Sequence, residues 1–368
     1  MRLRIKTETL KEMLNKAAKG ASNNKMIALT GFIEVVLNNN VLSMTTYDSV
    51  NFLTVKEDKV EGEDFSVVLA VELFSKLISK TTSEYVTLSS DNNTFSVTGN
   101  GTYKIELPLD PNDGKPVKFP SYSMDTEGAI VGTIKKSVLK TVIVSNKPSL
   151  ATTLEIPYLT GYLFTSESVI SADSFNICIN RVPTFGTKIL VPSSTVELLN
   201  LCTDEDISFA IKGEKVLFNS SKVVLYSSIM SGADDYPEET VNSFAQNSYA
   251  SNCVLPKTSL LNVLDRLSLF IKSNDVNGVY LTFTNEGLKI ESNQSVAVET
   301  IPYQSSEDFK PFTCFAGVDS MKKQISARTG EVVHLYYGDP SALKIVDNNV
   351  IQVVALLEDD RFRTEEDN

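Results

Sequence analysis

The stretch Gly161-Tyr-Leu-Phe-Thr-Ser (161–166), followed by Val169-Ile-Ser-Ala-Asp (169–173), carries the pattern that decides the fold. Two short apolar runs separated by a polar turn predict a β-hairpin. The same pattern occurs at residues 32–46 and again at residues 278–292, each time with a glycine at the start of the first strand or directly before it. One hairpin used three times indicates an internal repeat.

The elements around each hairpin repeat as well. An amphipathic helix precedes the hairpin, and a second helix and a set of closing strands follow it. The six predicted helices are Thr7–Ala21, Val71–Thr81, Ile134–Lys147, Ser193–Cys202, Lys257–Lys272 and Gly317–Thr329. The second helix of each unit begins near residue 71, 193 or 317, a period the size of a domain. The sequence therefore predicts an α+β protein of three tandem domains at residues 1–125, 126–249 and 250–368.

Composition places the chain among ordinary globular proteins. It has 368 residues, of which 42% are hydrophobic and 22% charged. The N-terminus lacks the apolar segment of a signal peptide and no run reaches membrane-spanning length, so we expect a cytoplasmic protein with no membrane partner. The four cysteines form no CxxC pair and are expected to be buried thiols.

The charge is unevenly distributed along the chain. The net charge is −12. The six predicted helices contain 15 basic and six acidic residues, which gives them +9 and leaves −21 for the remaining residues. Lysines on any solvated helix face are the ordinary explanation. The segregation favours a basic surface, and lysine tips without aromatic platforms suit contact with phosphates.

Motifs of catalysis are missing from the sequence. There is no phosphate-binding loop, no GxSxG elbow and no histidine-containing triad. The single histidine, His334, alternates with apolar residues in a predicted strand, which favours a structural role. Asp234-Asp235 is typical of a turn, and the run from Glu358 is typical of a solvated acidic tail. We therefore predict a protein that is not an enzyme and has no cofactor or metal.

Four short stretches resemble one known family. These are Pro157-Tyr-Leu-Thr-Gly-Tyr-Leu-Phe, Ala172-Asp-Ser-Phe-Asn-Ile, Ser231-Gly-Ala-Asp-Asp-Tyr and Val353-Val-Ala-Leu-Leu. With the three-unit plan, their order and spacing resemble the β subunit of bacterial DNA polymerase III, the β sliding clamp, over nearly the whole chain. The chain departs from the family pattern at Phe175-Asn176, Ala233-Asp234 and Ala355-Leu356-Leu357, as expected of a divergent member or of a copy carried by a phage or mobile element.

The resemblance implies a fold and a function. Three clamp-fold domains would place helices on the inside and antiparallel sheets on the outside of a head-to-tail homodimeric ring. Such a ring encircles double-stranded DNA as a processivity factor and tethers the DNA polymerase catalytic subunit. A clamp loader and other proteins with a clamp-binding motif are further implied partners. The alternative is a non-encircling clamp-fold adaptor that binds replication or repair proteins.

Three sets of site residues follow. The expected DNA-binding set combines the basic helix residues with two positions implied by the resemblance, Lys25 and Tyr158. Its other members are Lys11, Lys16, Lys19, Lys76, Lys80, Lys136, Lys140, Lys257, Arg266, Lys322, Lys323 and Arg328. The resemblance implies a partner-peptide pocket of Leu159, Ile177, Tyr236, Val353, Ala355 and Leu357. It also implies a dimer interface of Lys104, Ile105, Leu107, Phe270, Ile271 and Glu299, although these apolar residues could equally be ordinary core.

Overall fold

The computed structural model describes residues 2–22, 24, 26–91, 94–110, 114–120, 122–272, 276–305 and 309–359. Within these residues there are seven α-helices. They are α1 Thr7–Ala17, α2 Val71–Ser79, α3 Lys136–Asn146, α4 Ser193–Leu199, α5 Glu238–Gln246, α6 Lys257–Ser268 and α7 Val318–Ser326. Six of them lie inside the predicted ranges, and α5 was not predicted.

The strands of the first half of the chain are β1 Arg2–Lys6, β2 Phe32–Asn38, β3 Val41–Tyr47, β4 Asn51–Glu57, β5 Phe65–Ala70, β6 Tyr85–Asp91, β7 Thr94–Thr98, β8 Thr102–Glu106, β9 Ile130–Lys135, β10 Gly161–Phe164, β11 Val169–Ala172, β12 Asn176–Asn180 and β13 Ile189–Pro192. Those of the second half are β14 Asp206–Lys212, β15 Lys215–Asn219, β16 Val223–Ser228, β17 Ser251–Pro256, β18 Gly278–Phe283, β19 Leu288–Ser292, β20 Val298–Ile301, β21 Gln304–Ser305, β22 Phe312–Gly317, β23 Val332–Tyr337, β24 Ala342–Asp347 and β25 Val350–Ala355. The pairs β2–β3, β10–β11 and β18–β19 are antiparallel, which confirms the three predicted hairpins.

The chain divides into two compact units. Unit 1 comprises residues 1–139 and 194–229, and unit 2 comprises residues 140–193 and 230–368. Each unit holds one large and one four-stranded sheet. The predicted boundaries of three domains at 125 and 249 remain a prediction, because strands that are distant in sequence join within each unit.

The large sheets of the two units are built to one plan. In unit 1 the strand order is β5-β2-β3-β4-β16-β15-β14-β9, and in unit 2 it is β13-β10-β11-β12-β25-β24-β23-β17-β21. In each order the first four strands form a set around a hairpin, and the last strand of this set is β4 in unit 1 and β12 in unit 2. That strand pairs with the first strand of a second set, which is β16 in unit 1 and β25 in unit 2. The pairs β4–β16 and β12–β25 are called the sheet junctions below.

The same turn begins the inner strand of each junction. In unit 1 the Asp48 carboxylate accepts hydrogen bonds from the backbone and side-chain amides of Asn51. In unit 2 Asp173 does the same for Asn176. Asn51 lies opposite Ser227, and Asn176 lies opposite Val354, so the two junctions can be compared residue by residue.

The helices are shorter than predicted because neighbouring residues find other partners. Ile134 and Lys135 belong to β9, where Ile134 lies opposite Ile207. After Ala17 the backbone tightens into a 3-10 turn and becomes extended at Ala21. Helix ends commonly tighten in this way, since the last carbonyls lack intrahelical donors.

The cores are apolar and contain the cysteines. Helix α1 turns Leu10, Met13 and Leu14 inward, as its sequence spacing predicts. All four cysteines are buried and free, which confirms the prediction of buried thiols. Burial raises the pKa of Cys253 to about 12.

Candidate functional site

Unit 2 contains an apolar cleft between its large sheet and helix α5. The cleft has a volume of about 340 Å³, within the range of small-ligand and peptide pockets. Strands β12 and β25 form its floor with Ile177 and Val353, and α5 forms one wall. The lining residues are Leu159, Ala172, Asp173, Ser174, Phe175, Asn176, Ile177, Pro237, Thr240, Val241, Phe244, Ser341, Ala342, Val353 and Ala355.

Four of the six residues that we expected in a partner pocket line this cleft: Leu159, Ile177, Val353 and Ala355. Tyr236 does not line it, because its side chain is 4% exposed and packs into the core beside Tyr158, with 6.0 Å between the ring centroids. The placement of Leu357 in the pocket is wrong. Its backbone amide bonds to the Phe315 carbonyl on the edge of β22, and it lines a separate, more polar groove.

Helix α5 is the part of the cleft that the sequence analysis missed. It supplies Thr240, Val241 and Phe244 to the wall. Pro237 directly precedes the helix, and prolines favour helix N-termini, so the sequence does contain a signal for α5, close to the predicted turn at Asp234-Asp235. Phe175 stands at the rim with 56% of its side chain exposed.

The matching place in unit 1 is filled by the chain itself. The junction registers put Phe52 and Tyr226 where unit 2 has Ile177 and Val353. The ring of Tyr122 stacks on Phe52, with centroids 4.6 Å apart and planes 17° apart, and its hydroxyl bonds to Thr54. In unit 2 smaller aliphatic residues replace the aromatic floor and leave the cleft open. An aromatic ring of the chain thus occupies in unit 1 the place that is open in unit 2.

Several basic residues of the expected DNA-binding set are already paired. Their partners are carboxylates on the same or a neighbouring helix or strand: Lys11–Glu8, Lys16–Glu12, Lys76–Glu72, Lys322–Asp265 and Arg266–Glu299. Arg266 donates two hydrogen bonds, Nε to Oε1 at 2.8 Å and Nη2 to Oε2 at 2.6 Å. Exposed pairs of this kind are weak and can open for a phosphate.

The observed helix bounds change the charge argument. The seven helices enclose nine basic residues, Lys11, Lys16, Lys76, Lys136, Lys140, Lys257, Arg266, Lys322 and Lys323, and eight acidic residues, Glu8, Glu12, Glu72, Glu197, Glu238, Glu239, Asp265 and Asp319. The expected excess of +9 in the helices is therefore wrong. It came from lysines that flank the helices, such as Lys19 and Lys80, and from the missing helix α5.

Among the described residues, no carboxylate forms an ion pair with Lys19, Lys80, Lys140 or Lys323, and all four side chains are exposed. Lys136 instead donates to the Cys202 carbonyl and Lys257 to the Ser326 and Arg328 carbonyls. These two lysines cap the ends of neighbouring segments. Lys25 lies outside the described residues.

Arg328 cannot serve as a surface contact. It is 3% exposed, and its position just after the end of α7 directs the side chain into the core of unit 2. Its inclusion in the DNA-binding set is wrong. Helical spacing predicts the direction of a side chain only within the helix, and Arg328 lies after the end of α7.

Of the expected dimer-interface residues, Lys104 and Ile105 lie on the edge strand β8 and Glu299 on the edge strand β20, whereas Phe270 and Ile271 follow helix α6. In unit 1 the four-stranded sheet has the order β1-β6-β7-β8, and in unit 2 the other has the order β20-β19-β18-β22. Ile105 on β8 is 6% exposed and packs inside its own unit, whereas Lys104 points outward. Phe270 is 51% exposed, Ile271 packs against the core, Leu107 is half-buried, and Glu299 is held by Arg266.

No three His, Cys, Asp or Glu residues come together as a metal site in the part of the chain that the structure describes. His334 lies on an outward-facing position of β23. No helix among the described residues is long and apolar enough to cross a membrane.

Comparison with known proteins gives a match by structure alone. No family profile matches the sequence. No curated protein sequence matches it either. The structure is similar to the DNA polymerase sliding clamp of Bacillus subtilis (TM-score 0.85, 19% identity, 98% of this chain and 99% of that one). It is also similar to the β subunit from DNA polymerase of Streptococcus pyogenes (TM-score 0.86, 16% identity, 98% and 100%).

A third similar structure is the DNA polymerase III subunit β of Pseudomonas aeruginosa, with a TM-score of 0.84 and 15% identity over 97% of this chain and 100% of that one. The likeness extends over nearly the full length of both chains although few residues are shared. The resemblance expected from the four short motifs is thus confirmed at the level of the fold. The chain has the sliding-clamp fold of the bacterial DNA polymerase III β subunits.

Proposed function

We propose that this protein is a DNA sliding clamp, a non-catalytic and cytoplasmic processivity factor that encircles duplex DNA as a head-to-tail homodimer and tethers a DNA polymerase. The observation that carries the proposal is a pair of complementary sheet edges, one in each unit. The fold of the similar structures agrees with it, and the open cleft of unit 2 gives a place for a partner peptide.

The two sheet edges are the unmatched halves of a third junction. Each junction joins a hairpin-centred set ending in β4 or β12 to a second set beginning with β16 or β25. Strands β22-β18-β19-β20 repeat the first set, and β8-β7-β6-β1 repeat the second. Within one chain these halves belong to separate sheets. Pairing of β20 with β8 of a second copy completes the junction, and the same pairing at the other end closes a ring of two.

The two internal junctions also supply a register for this contact. Matching β19–β20 to β3–β4, and β7–β8 to β15–β16, puts Ala297 in the place of Leu53 and Tyr103 in the place of Leu225. Leu53 and Leu225 lie opposite each other in unit 1 and are buried. Tyr103 should therefore lie opposite Ala297 of the second copy, and Thr102 opposite Val298.

Both edges expose apolar side chains that such a contact would cover. Tyr103 and Leu109 are 42% and 50% exposed in unit 1. In unit 2 the exposed fractions are 80% for Leu269, 67% for Val296 and 47% for Val298. An apolar sheet edge left open is a template for uncontrolled pairing, so proteins normally cover it.

The ring would hold DNA by topology and through weak phosphate contacts. Lys19, Lys80, Lys140 and Lys323 are the exposed lysines for this role, and the ion-paired lysines of α1, α2 and α7 can exchange a carboxylate for a phosphate. Single-point, salt-screened contacts of this kind allow a ring to slide. Tethering then raises the local concentration of the polymerase at the primer end.

The cleft of unit 2 would receive the partners. Its apolar floor and the exposed Phe175 suit a short peptide with an aromatic or branched aliphatic side chain. The Tyr122 ring on Phe52, at the matching place in unit 1, supports an aromatic side chain as the occupant. A polymerase, a clamp loader and other replication proteins are the partners that a clamp of this fold requires.

Retention on DNA tests the encircling function. The protein is loaded onto a nicked circular plasmid, passed through a gel-filtration column at moderate salt, and compared before and after a restriction enzyme linearises the plasmid. We expect retention on the circle and release from the linear form. Equal retention on both forms would refute encirclement and favour the adaptor that binds replication or repair proteins without enclosing DNA.

A further inference from the structure

The core of unit 2 contains a buried arginine with no anionic partner. Arg328 is 3% exposed, and its Nε, Nη1 and Nη2 atoms find no oxygen acceptor among the described residues; the polar side chain beside them is the Cys178 thiol, which is a weak acceptor. In the described part of the chain no carboxylate lies within 4 Å of the guanidinium. Burial lowers the pKa of Arg328, while Cys178 and Asp347 oppose that shift. An arginine nevertheless stays protonated at neutral pH.

Apart from Asp347, which acts on the guanidinium from beyond ion-pair distance, the groups placed beside Arg328 are polar but neutral. The Cys178 thiol lies beside it, and burial raises the pKa of this thiol to about 12, so it carries no charge at pH 7. Gln352 lies opposite Cys178 in the β12–β25 junction, and Asn146 donates to the Cys178 carbonyl at 3.3 Å. Asn180 lies two residues along β12 and therefore on the same face.

These neighbours also have unmet hydrogen-bonding atoms. The Asn146 and Gln352 side-chain oxygens and both polar atoms of the Asn180 amide are buried without a partner among the described residues. All three residues are fully buried. Buried polar groups in folded proteins are nearly always satisfied, and a cluster of unmet ones around a cation indicates an enclosed, polar binding site.

The corresponding place in unit 1 shows that the fold does not require polar residues here. The register puts Leu53 opposite Leu225 where unit 2 has Cys178 opposite Gln352. Val55 takes the place of Asn180. In unit 1 the Thr46 hydroxyl bonds to the Ala17 carbonyl as the Ser171 hydroxyl bonds to the Asn146 carbonyl, so Ala17 matches Asn146. The same scaffold is apolar in one unit and polar in the other.

From this difference we propose that the junction of unit 2 binds a small monovalent anion of the size of chloride, held by Arg328 with the Asn180 amide as a second donor. Burying an unpaired charge is costly, and an anion in contact with the guanidinium would supply the close partner that Asp347, beyond 4 Å, does not. Water that enters with the ion can donate to the oxygens of Asn146 and Gln352. The inference goes beyond the clamp function and does not depend on DNA or on the ring.

Thermal unfolding in chloride tests the site. Sodium chloride is exchanged for sodium gluconate at constant ionic strength, because gluconate is too large for an enclosed site. A bound anion stabilises the folded state in proportion to the logarithm of its concentration above Kd. For a protein of this size we expect the unfolding temperature to rise by roughly 2 °C for each tenfold increase in chloride.

Two variants and one direct measurement make the test decisive. Arg328→Met keeps the length of the side chain and should abolish the chloride response. Arg181→Met removes an exposed arginine of the same unit and should keep it. In crystals soaked in sodium bromide, we expect an anomalous peak beside the Arg328 guanidinium.

The alternative is that the guanidinium turns onto the amide oxygens of Asn180 and Gln352 and no ion binds. A wild-type protein with no chloride response and no bromide peak at Arg328 would establish that alternative and overturn the proposal. An equal chloride response in the wild type and Arg328→Met would place the ion elsewhere and overturn it as well.

Discussion

Replacing Tyr103 by alanine should disrupt the proposed ring without unfolding the subunit. Tyr103 lies on the open edge of β8, where 42% of its side chain is exposed in the single chain. A tyrosine side chain has about 200 Å² of surface, so the contact with a second copy would bury about 85 Å² more. At about 25 cal/mol per Å², this burial contributes about 2 kcal/mol.

The geometry of the ring doubles this effect. A head-to-tail dimer that closes has two identical interfaces, so Tyr103→Ala would cost the dimer about 4 kcal/mol, or roughly a thousandfold in Kd. An open dimer with one interface would lose about 2 kcal/mol, roughly thirtyfold. The size of the change therefore distinguishes a closed ring from an open chain.

Sedimentation equilibrium over a range of concentrations measures the dimer constant, with a wild-type dimer expected at about 81 kDa, twice the 40.5 kDa chain. Phe175→Ala is the matched control, because Phe175 is an exposed aromatic residue far in sequence from either edge. The unfolding temperature of both variants should stay close to that of the wild type. A Tyr103→Ala protein that dimerises as well as the wild type would refute the β8–β20 junction.

Three further predictions concern the cleft, the lysines and one carboxylate. Ile177→Arg should abolish binding of partner peptides in fluorescence titrations, while Leu357→Arg, which lies outside the cleft, should leave binding unchanged; the reverse result would show that the cleft is not the peptide site. Lys140→Ala and Lys323→Ala should each reduce the slope of log Kd against log salt for duplex DNA by about 0.9, because each lysine would contact one phosphate. Lys212 pairs with Asp125, so the control Lys212→Ala should leave the slope unchanged. Burial raises the pKa of Glu34 above its usual value, so the wild type should gain stability as the pH falls through that raised pKa. Glu34→Gln should therefore be more stable than the wild type at pH 8 and lose this advantage in acid. A difference in unfolding temperature that does not change with pH would contradict the buried carboxylate.

Much of the fold could be predicted from local sequence patterns. Strands such as β2 and β3 alternate apolar and polar residues and are joined by a short turn, which indicates a hairpin without knowledge of the rest. Helices such as α1 show their buried face at i, i+3 and i+4. The short motifs also contain four lining residues of the cleft, Leu159, Ile177, Val353 and Ala355, because these residues lie within or beside the stretches that resemble the family.

The strands missed were those whose pattern depends on their neighbours. Strand β12 has no polar alternation, since Asn146 of α3 lies against one face of the strand and Ile177 on the other face lies in the cleft. Helix α5 has a short apolar stripe that a turn motif obscures. Sequence spacing also could not show that Ile105 is buried or that Arg266 binds Glu299, because these contacts join residues far apart in the chain.

The sequence by itself determined the three-fold repetition and the α+β class, because hydrophobic periodicity is a local property of each segment. The tertiary structure decided which strand of one repeat pairs with which strand of the next, and so which two edges stay open. It also decided which charges reach the surface. Lys140 and Arg328 are both basic residues in or beside a helix, yet Lys140 is exposed and Arg328 is buried beside Cys178 of β12, and only packing separates them.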